Sequence, residues 1–146
     1  MCNLHNNILG NLTFHVGWIK YETLTLWEGQ DYTLRIRISC KKDELPTQVQ
    51  ERAYQEFKRN LKLLCDSTIG QIYDYVHNKK EFIQSQCKDV SVNNPFSIIF
   101  PKEVLFFKSG AYAIICDTKW SEQGVAVLVK GPNIIVDESY ILEFEE

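Results

Sequence analysis

The sequence has few of the residues and motifs by which enzymes and metal proteins are recognised. It holds three histidines, His5, His15 and His77, which stand far apart and without metal-ligand spacing. It contains no P-loop, GxGxxG, GxSxG or HExxH motif. We therefore expect no metal site, no cofactor and no catalytic residue, although one acid pair considered below keeps a small enzyme among the alternatives.

The chain also lacks a cysteine framework. Its five cysteines are odd in number and form no CxxC pair, which excludes a full set of disulfides and a zinc ribbon. Reduced thiols in a cytosolic protein are the simplest account. Cys40, Cys65 and Cys116 fall on apolar positions, so we expect them to be free and slow to react, whereas Cys2 should react fast.

Basic runs and long apolar segments are missing too. No run of five basic residues occurs and the net charge is -3, which argues against a nucleic-acid partner or a membrane-binding tail. The first residues, "MCNLHNNILG", resemble neither a signal peptide nor a membrane span, so we expect a cytoplasmic protein. With 146 residues, the chain is predicted to be a single domain, 1–146.

The acidic residues gather at the end of the chain. Residues 131–146 carry five acidic side chains and neither lysine nor arginine. One interpretation is a solvated terminus, and the other is an acidic face for a basic partner.

The first part of the chain is predicted to form strands. Residues 31–40, "DYTLRIRISC", alternate between apolar and polar side chains, which predicts a half-buried strand with one solvent-exposed face. The "EGQD" segment at 28–31 predicts a hairpin turn before it. Residues 12–21 predict an earlier strand with a bend at Gly17. We expect a meander of two or three strands.

Residues 48–78 have the spacing of a helix. Thr47 and Gln50 match a capping box, and apolar residues then recur every three or four positions. A continuous helix of this length would be roughly 47 Å long at ~1.5 Å per residue, which is long for this domain. The "DSTIG" segment at 66–70 is the weakest part, so we expect either one long helix or a bend there. Phe57, Leu61 and Leu64 should lie on the sheet.

The last part of the chain predicts a second meander after a loop at residues 79–95. The strands are expected in "FSIIFP", "EVLFFK", "AYAIIC", "GVAVLV" and "YILEFEE", with turns at 108–110 and 131–133. The fold class is therefore α+β, an antiparallel sheet with one long or bent helix packed across one face. "AYAIIC" and "GVAVLV" are apolar on both faces, so the N-terminal segment, residues 79–100 or a partner chain should cover the second face.

One stretch, "CDTKWSEQGVAV" at 116–127, admits a structural and a chemical interpretation. In the first it is a corner between two strands. Asp117 or Ser121 then caps the turn, Gly124 adopts a positive φ, and Trp120 lies over the core as a lid.

The chemical interpretation of this stretch needs paired groups. Asp117 and Glu122 could act as an acid/base pair. Cys116 could act as a nucleophile if the fold brings His15 or His77 to it, although its place in an apolar strand favours a small buried side chain.

The order of an aromatic hairpin, "PTQVQERAYQEFKRN" and "DTKWSEQGVAVLV" resembles a family of uncharacterised bacterial domains over about residues 18–142. The late signature of that family is Trp-acid-x-Glu-His-Gly before an apolar strand. Trp120, Glu122 and Gly124 match the signature, whereas Ser121 stands near its acid and Gln123 at its histidine. The resemblance implies an immunity-type protein of a polymorphic toxin system.

We therefore expect a cytosolic interaction domain, an immunity-type inhibitor that binds a cognate toxin. Trp120 and Glu122, with Asp117, would form an exposed rim at the end of the sheet for this partner. The alternatives are a small enzyme or ligand-binding domain with a pocket at the Asp117–Glu122 corner, or a homodimer that buries the second face of the sheet.

Overall fold

The computed structural model describes residues 2–146, which form one eight-stranded sheet and three α-helices. The strands are β1 (Asn3–Asn6), β2 (Gly10–Phe14), β3 (Trp18–Thr25), β4 (Asp31–Ile38), β5 (Ile99–Phe106), β6 (Tyr112–Thr118), β7 (Val125–Lys130) and β8 (Asn133–Glu138). The helices α1 (Gln48–Arg59), α2 (Leu61–Asn78) and α3 (Lys80–Gln86) lie between β4 and β5. The predicted α+β class, with helices packed on one face of the sheet, is confirmed.

The strands lie side by side in the order in which they occur in the chain. Each pairs antiparallel with the next, except that β4 and β5 are parallel. A parallel pair needs a long crossover, and the three helices supply it. The sheet therefore consists of two four-stranded meanders that meet along the β4–β5 pair, from Arg35 opposite Glu103 to Ile38 opposite Phe106.

The N-terminal meander has four strands rather than the predicted two or three. A turn at residues 15–17 divides the expected strand 12–21, because Val16 and Gly17 both adopt positive φ, 52° and 108°. A Cβ on Gly17 would lie 2.7 Å from the Ile38 carbonyl oxygen, so this turn requires glycine. The predicted turn at 28–31 is present and joins β3 to β4.

The helical region bends in a different place from the one predicted. The break is at Asn60, where the backbone leaves helical values, and α2 runs without interruption through residues 66–70. Those polar residues fit the helix because the hydroxyls of Ser67 and Thr68 both donate to the Leu64 carbonyl oxygen. The predicted loop at 79–95 is also partly wrong, since α3 occupies 80–86.

The helices cover one face of the sheet through apolar side chains. Phe57 is fully buried, and its ring makes edge contacts with Phe106 and Tyr112. Leu64 is buried as predicted, but Leu61 is only half-buried because the break at Asn60 interrupts the apolar stripe. No helix within residues 2–146 is long and apolar enough to span a membrane.

The second face is covered over part of β5–β7 by the C-terminal segment, which forms a 3₁₀ helix, Ser139–Phe144. Ile141 and Leu142 pack there against Ala113 and Leu128. The predicted strand in "YILEFEE" is therefore wrong, and this cover comes from neither the N-terminal segment nor residues 79–100.

The predicted capping box at the start of α1 is present. The Gln50 side chain of this box also makes hydrogen bonds to the sheet. The Thr47 hydroxyl accepts from the Gln50 backbone N–H at 3.1 Å, and Gln50 Oε1 accepts from the Thr47 N–H at 3.0 Å. Gln50 Nε2 donates to the carbonyl oxygens of Ser39 and Phe106, at 2.8 and 3.2 Å. Since Gln50 is fully buried, it joins the first turn of α1 to the ends of both central strands.

We expect Gln50→Ala to lower the free energy of unfolding by about 2–3 kcal/mol, because it leaves buried backbone groups without partners. Gln55→Ala, at an exposed position of the same helix, should cost less than about 0.5 kcal/mol. Urea unfolding of both variants measures the difference. Equal losses would contradict the role assigned to Gln50.

A polar cluster at the edge of the core fixes α1 on β3. The Glu22 carboxylate accepts from Lys20 at 2.7 Å and also from the Lys58 ammonium and the Tyr54 hydroxyl. Burial by itself would raise the pKa of Glu22, but the hydrogen bonds from Lys20, Lys58 and Tyr54 outweigh it and lower the pKa to about 2. The ionised carboxylate therefore stabilises the folded state.

Because the pKa of Glu22 falls on folding, from 4.5 to about 2, its contribution is complete above pH 4.5 and is lost as the pH falls towards 2. Glu22→Gln should lower stability by about 2 kcal/mol at pH 7. Thermal melts between pH 7 and 2 should show the variant and the wild type converging in that acid range. A constant difference at every pH would contradict this account.

Candidate functional site

The 116–127 stretch forms the predicted corner between β6 and β7. Gly124 adopts φ 71°, and a Cβ there would lie 2.4 Å from the Cys116 carbonyl oxygen. Ser121 organises the turn, because its Oγ accepts from the Gln123 N–H at 3.1 Å and its carbonyl oxygen accepts from the Thr118 hydroxyl at 3.0 Å. Of the two capping residues considered, the structure thus uses Ser121.

Trp120 lies over the end of the core as a lid. Only 5% of its surface is exposed, and it belongs to the same cluster as the residues under the helices. The prediction that Trp120 forms an exposed rim with Glu122 is therefore wrong. The ring is buried because the loop folds back onto the core, where the Lys119 N–H donates to the Ile98 carbonyl oxygen at 3.1 Å.

The two acids of the corner are on the surface. Asp117 forms an ion pair with Lys102 at 2.7 Å, and Glu122 is exposed. Together with Trp120 they line a wide-open depression of about 290 Å³. An acid/base pair that acts on a substrate needs an enclosed pocket in which both groups converge, whereas this is an open depression of the surface.

The candidate nucleophile and its partners are separated by the fold. Cys116 is 1% exposed on β6, and burial raises the pKa of its thiol well above the usual range. His15 lies in the β2–β3 turn and His77 near the end of α2, while the His5 ring nitrogen Nδ1 lies 2.7 Å from Asn11 Oδ1. Cys65 is buried like Cys116, Cys40 and Cys87 are half-buried and Cys2 is exposed, all of them free.

The same histidines and cysteines are also the candidate ligands for a metal ion. Among residues 2–146 no group of three or more His, Cys, Asp and Glu side chains is arranged to hold a metal ion.

A second candidate site lies on the sheet face away from the helices, next to the area covered by the C-terminal segment. Across neighbouring strands stand Tyr21 of β3, Arg35 of β4 and Glu103 of β5. Tyr21 is 64% exposed, and Thr23 and Thr33 beside it are exposed too. This area had one signal in the sequence, the polar alternation of residues 31–40.

Glu103 organises this area as a buried anion between two arginines. It is 5% exposed and accepts from Arg35 Nε at 2.7 Å and from Arg37 Nε at 2.9 Å. Arg37 also donates to the carbonyl oxygens of His15 and Val16 in the β2–β3 turn. Such charge-assisted bonds hold a planar guanidinium in one orientation. Arg35, with 33% of its side chain exposed, is thereby presented at the surface in a fixed position.

The same face continues towards the corner. Phe100 is 40% exposed opposite Asp117, and the Lys119 ammonium lies 6.0 Å from the centre of its ring. We call the surface formed by Tyr21, Arg35, Phe100, Lys102 and Asp117 the open half-face. The corner and the open half-face share Asp117, so the predicted site lies at the border of the larger one.

Comparison with known proteins gives no match to this chain, whether among family models, curated proteins or solved structures. The assignment of the site therefore depends on the geometry.

We expect Gly124→Ala to lower the free energy of unfolding by about 3 kcal/mol or more, because a positive φ and a backbone clash add together. Gly131→Ala is the control: its φ is also positive, 56°, but a Cβ there meets nothing within 4 Å. This control should lose only about 1 kcal/mol. Chemical unfolding measures both, and equal losses would show that the corner relaxes around the added methyl.

Proposed function

We propose that this chain is a protein-interaction domain of the bacterial cytoplasm, an immunity-type inhibitor that binds a cognate toxin through the open half-face. The observation that carries the proposal is the pairing of Tyr21, 64% exposed, with Arg35, which the buried Glu103 carboxylate holds in place. The adjoining half of the same sheet face is already occupied by the chain's own C-terminal segment.

The composition of the open half-face suits a protein partner. Tyrosine, phenylalanine and arginine are the residues enriched in protein interfaces and in their energetic centres. Arg35 loses little freedom on binding because Glu103 already orients it, which lowers the entropic cost of association. An exposed sheet surface also fits a protein better than a small molecule, since small ligands prefer concave sites.

The acidic C-terminal segment is a weaker candidate for the contact. Glu138 forms an ion pair with Lys79 at 3.4 Å and Glu145 with Lys130 at 3.1 Å, so part of its charge is neutralised within the chain. The family resemblance, carried by Trp120, Glu122 and Gly124, supports the inhibitor role, and of these residues Trp120 and Gly124 build the corner. We assign contact with the partner to Tyr21 and Arg35, with Asp117 and Glu122 at the margin.

The test is binding to the product of the neighbouring gene, which the proposal expects to carry a toxic domain. Tyr21→Ala should weaken the complex at least about tenfold, roughly 1.4 kcal/mol, and leave the melting temperature unchanged. Phe82→Ala is the control, because Phe82 is 50% exposed but lies on α3, across the sheet. Calorimetric titration gives the affinities, and growth on co-expression reports inhibition of the toxin.

Three results would contradict the proposal. The first is unchanged affinity for Tyr21→Ala together with a loss for Phe82→Ala, which would place the contact on the helical side. The second is a concentration-dependent dimer, detected by light scattering, that Tyr21→Ala dissociates, because the face would then belong to a second copy of the chain. The third is failure of the wild-type protein to bind the toxic domain or to restore growth.

A further inference from the structure

A cleft opens between the β3–β4 turn and α2, on the helical side of the sheet. Its volume is about 430 Å³, within the range of small-molecule sites. It is lined by residues 25–29 of the turn and by Lys62, Cys65, Asp66 and Ile69 of α2. The open half-face lies across the sheet from it, so the two surfaces are independent.

The floor of the cleft is apolar and rigid. Leu26, Trp27 and Cys65 are 4%, 1% and 6% exposed. The Trp27 ring is fixed by its Nε1–H, which donates to the Thr68 hydroxyl at 2.9 Å, and by stacking on Phe96 at 5.6 Å. Burial, which has the larger effect, and the nearby Asp66 carboxylate together raise the pKa of the Cys65 thiol to about 11. The floor is therefore neutral at pH 7 and accepts an apolar group.

The rim of the cleft carries two carboxylates, Glu28 and Asp66, and one ammonium, Lys62. Among the ion pairs formed within residues 2–146, none involves any of these three. The Tyr73 hydroxyl donates to Glu28 Oε2 at 3.3 Å, which orients that carboxylate without neutralising it. The rim thus has an excess of negative charge beside an apolar floor.

Glu28 occupies its place at a cost in backbone energy. Its φ is 58° and its ψ 25°, the left-handed region in which glycine is favoured and a residue with a Cβ is strained. A glycine at this position would relieve the strain. Strain of this kind is concentrated at functional sites. What Glu28 adds over glycine is a carboxylate at the mouth of the cleft.

We propose that this cleft binds an organic cation, an amine with an apolar body. The apolar body lies on Leu26, Trp27 and Ile69, and the ammonium is held by Glu28 and Asp66 at the rim. Charge-assisted hydrogen bonds to carboxylates are about twice as strong as neutral ones, so the cation distinguishes the ligand from a neutral or anionic molecule of the same shape.

The experiment titrates the protein with three probes of similar shape: 2-phenylethylamine, 2-phenylethanol and 3-phenylpropanoate. Backbone amide shifts in two-dimensional NMR give both the affinity and the position of the bound probe. The amine should bind at least about tenfold more tightly than the other two, with shifts centred on residues 26–29 and 62–69. Asp66→Asn should weaken amine binding about tenfold, and Asp74→Asn, an exposed acid of α2 outside the cleft, should leave it unchanged.

Glu28→Gly gives a second and independent test. It should raise the melting temperature, because glycine adopts this backbone conformation without strain, and it should also weaken amine binding. Equal affinity for the three probes, preference for the anion, shifts centred elsewhere or absence of binding would each overturn the proposal. Unchanged amine affinity in both Glu28→Gly and Asp66→Asn would overturn it as well.

Discussion

The Gln50 side chain makes the contact on which the rest of this structure depends. One amide group closes the first turn of α1 and, at the same time, bonds the carbonyl oxygens of Ser39 and Phe106 at the ends of β4 and β5. These two strands are the parallel pair that joins the N-terminal and C-terminal meanders. The position of the helices over the sheet is therefore tied to the place where its two halves meet.

From this arrangement follow the two surfaces to which we assign functions. With the helices on one face, the other face is left to the C-terminal segment, which covers only part of β5–β7. Tyr21 and Arg35 remain exposed on the β3–β4 side, where Glu103 fixes the arginine. On the helical face, the side chains of α2 do not fill the space beside the strained β3–β4 turn. This space is the cleft at Glu28.

The corner at residues 116–127 shows how one motif is divided between structure and surface. Its most conspicuous residue, Trp120, is buried, and Gly124 is required by the close approach of the Cys116 carbonyl oxygen. Its acids, Asp117 and Glu122, stay in solvent. A tryptophan between two acids in a sequence resembles a recognition site, yet the aromatic ring contributes most free energy where it is removed from water.

The features that the sequence by itself determined are those set by neighbours a few residues apart. They include the alternation of residues 31–40, the capping box at Thr47 and Gln50, and the glycine at position 124. Tertiary structure decided the break at Asn60, the coverage by residues 139–144 and the burial of Trp120. It also brought Glu103 next to Arg35 and Arg37, which precede it by 68 and 66 residues. Such contacts depend on which strands become neighbours, and no local sequence pattern records that.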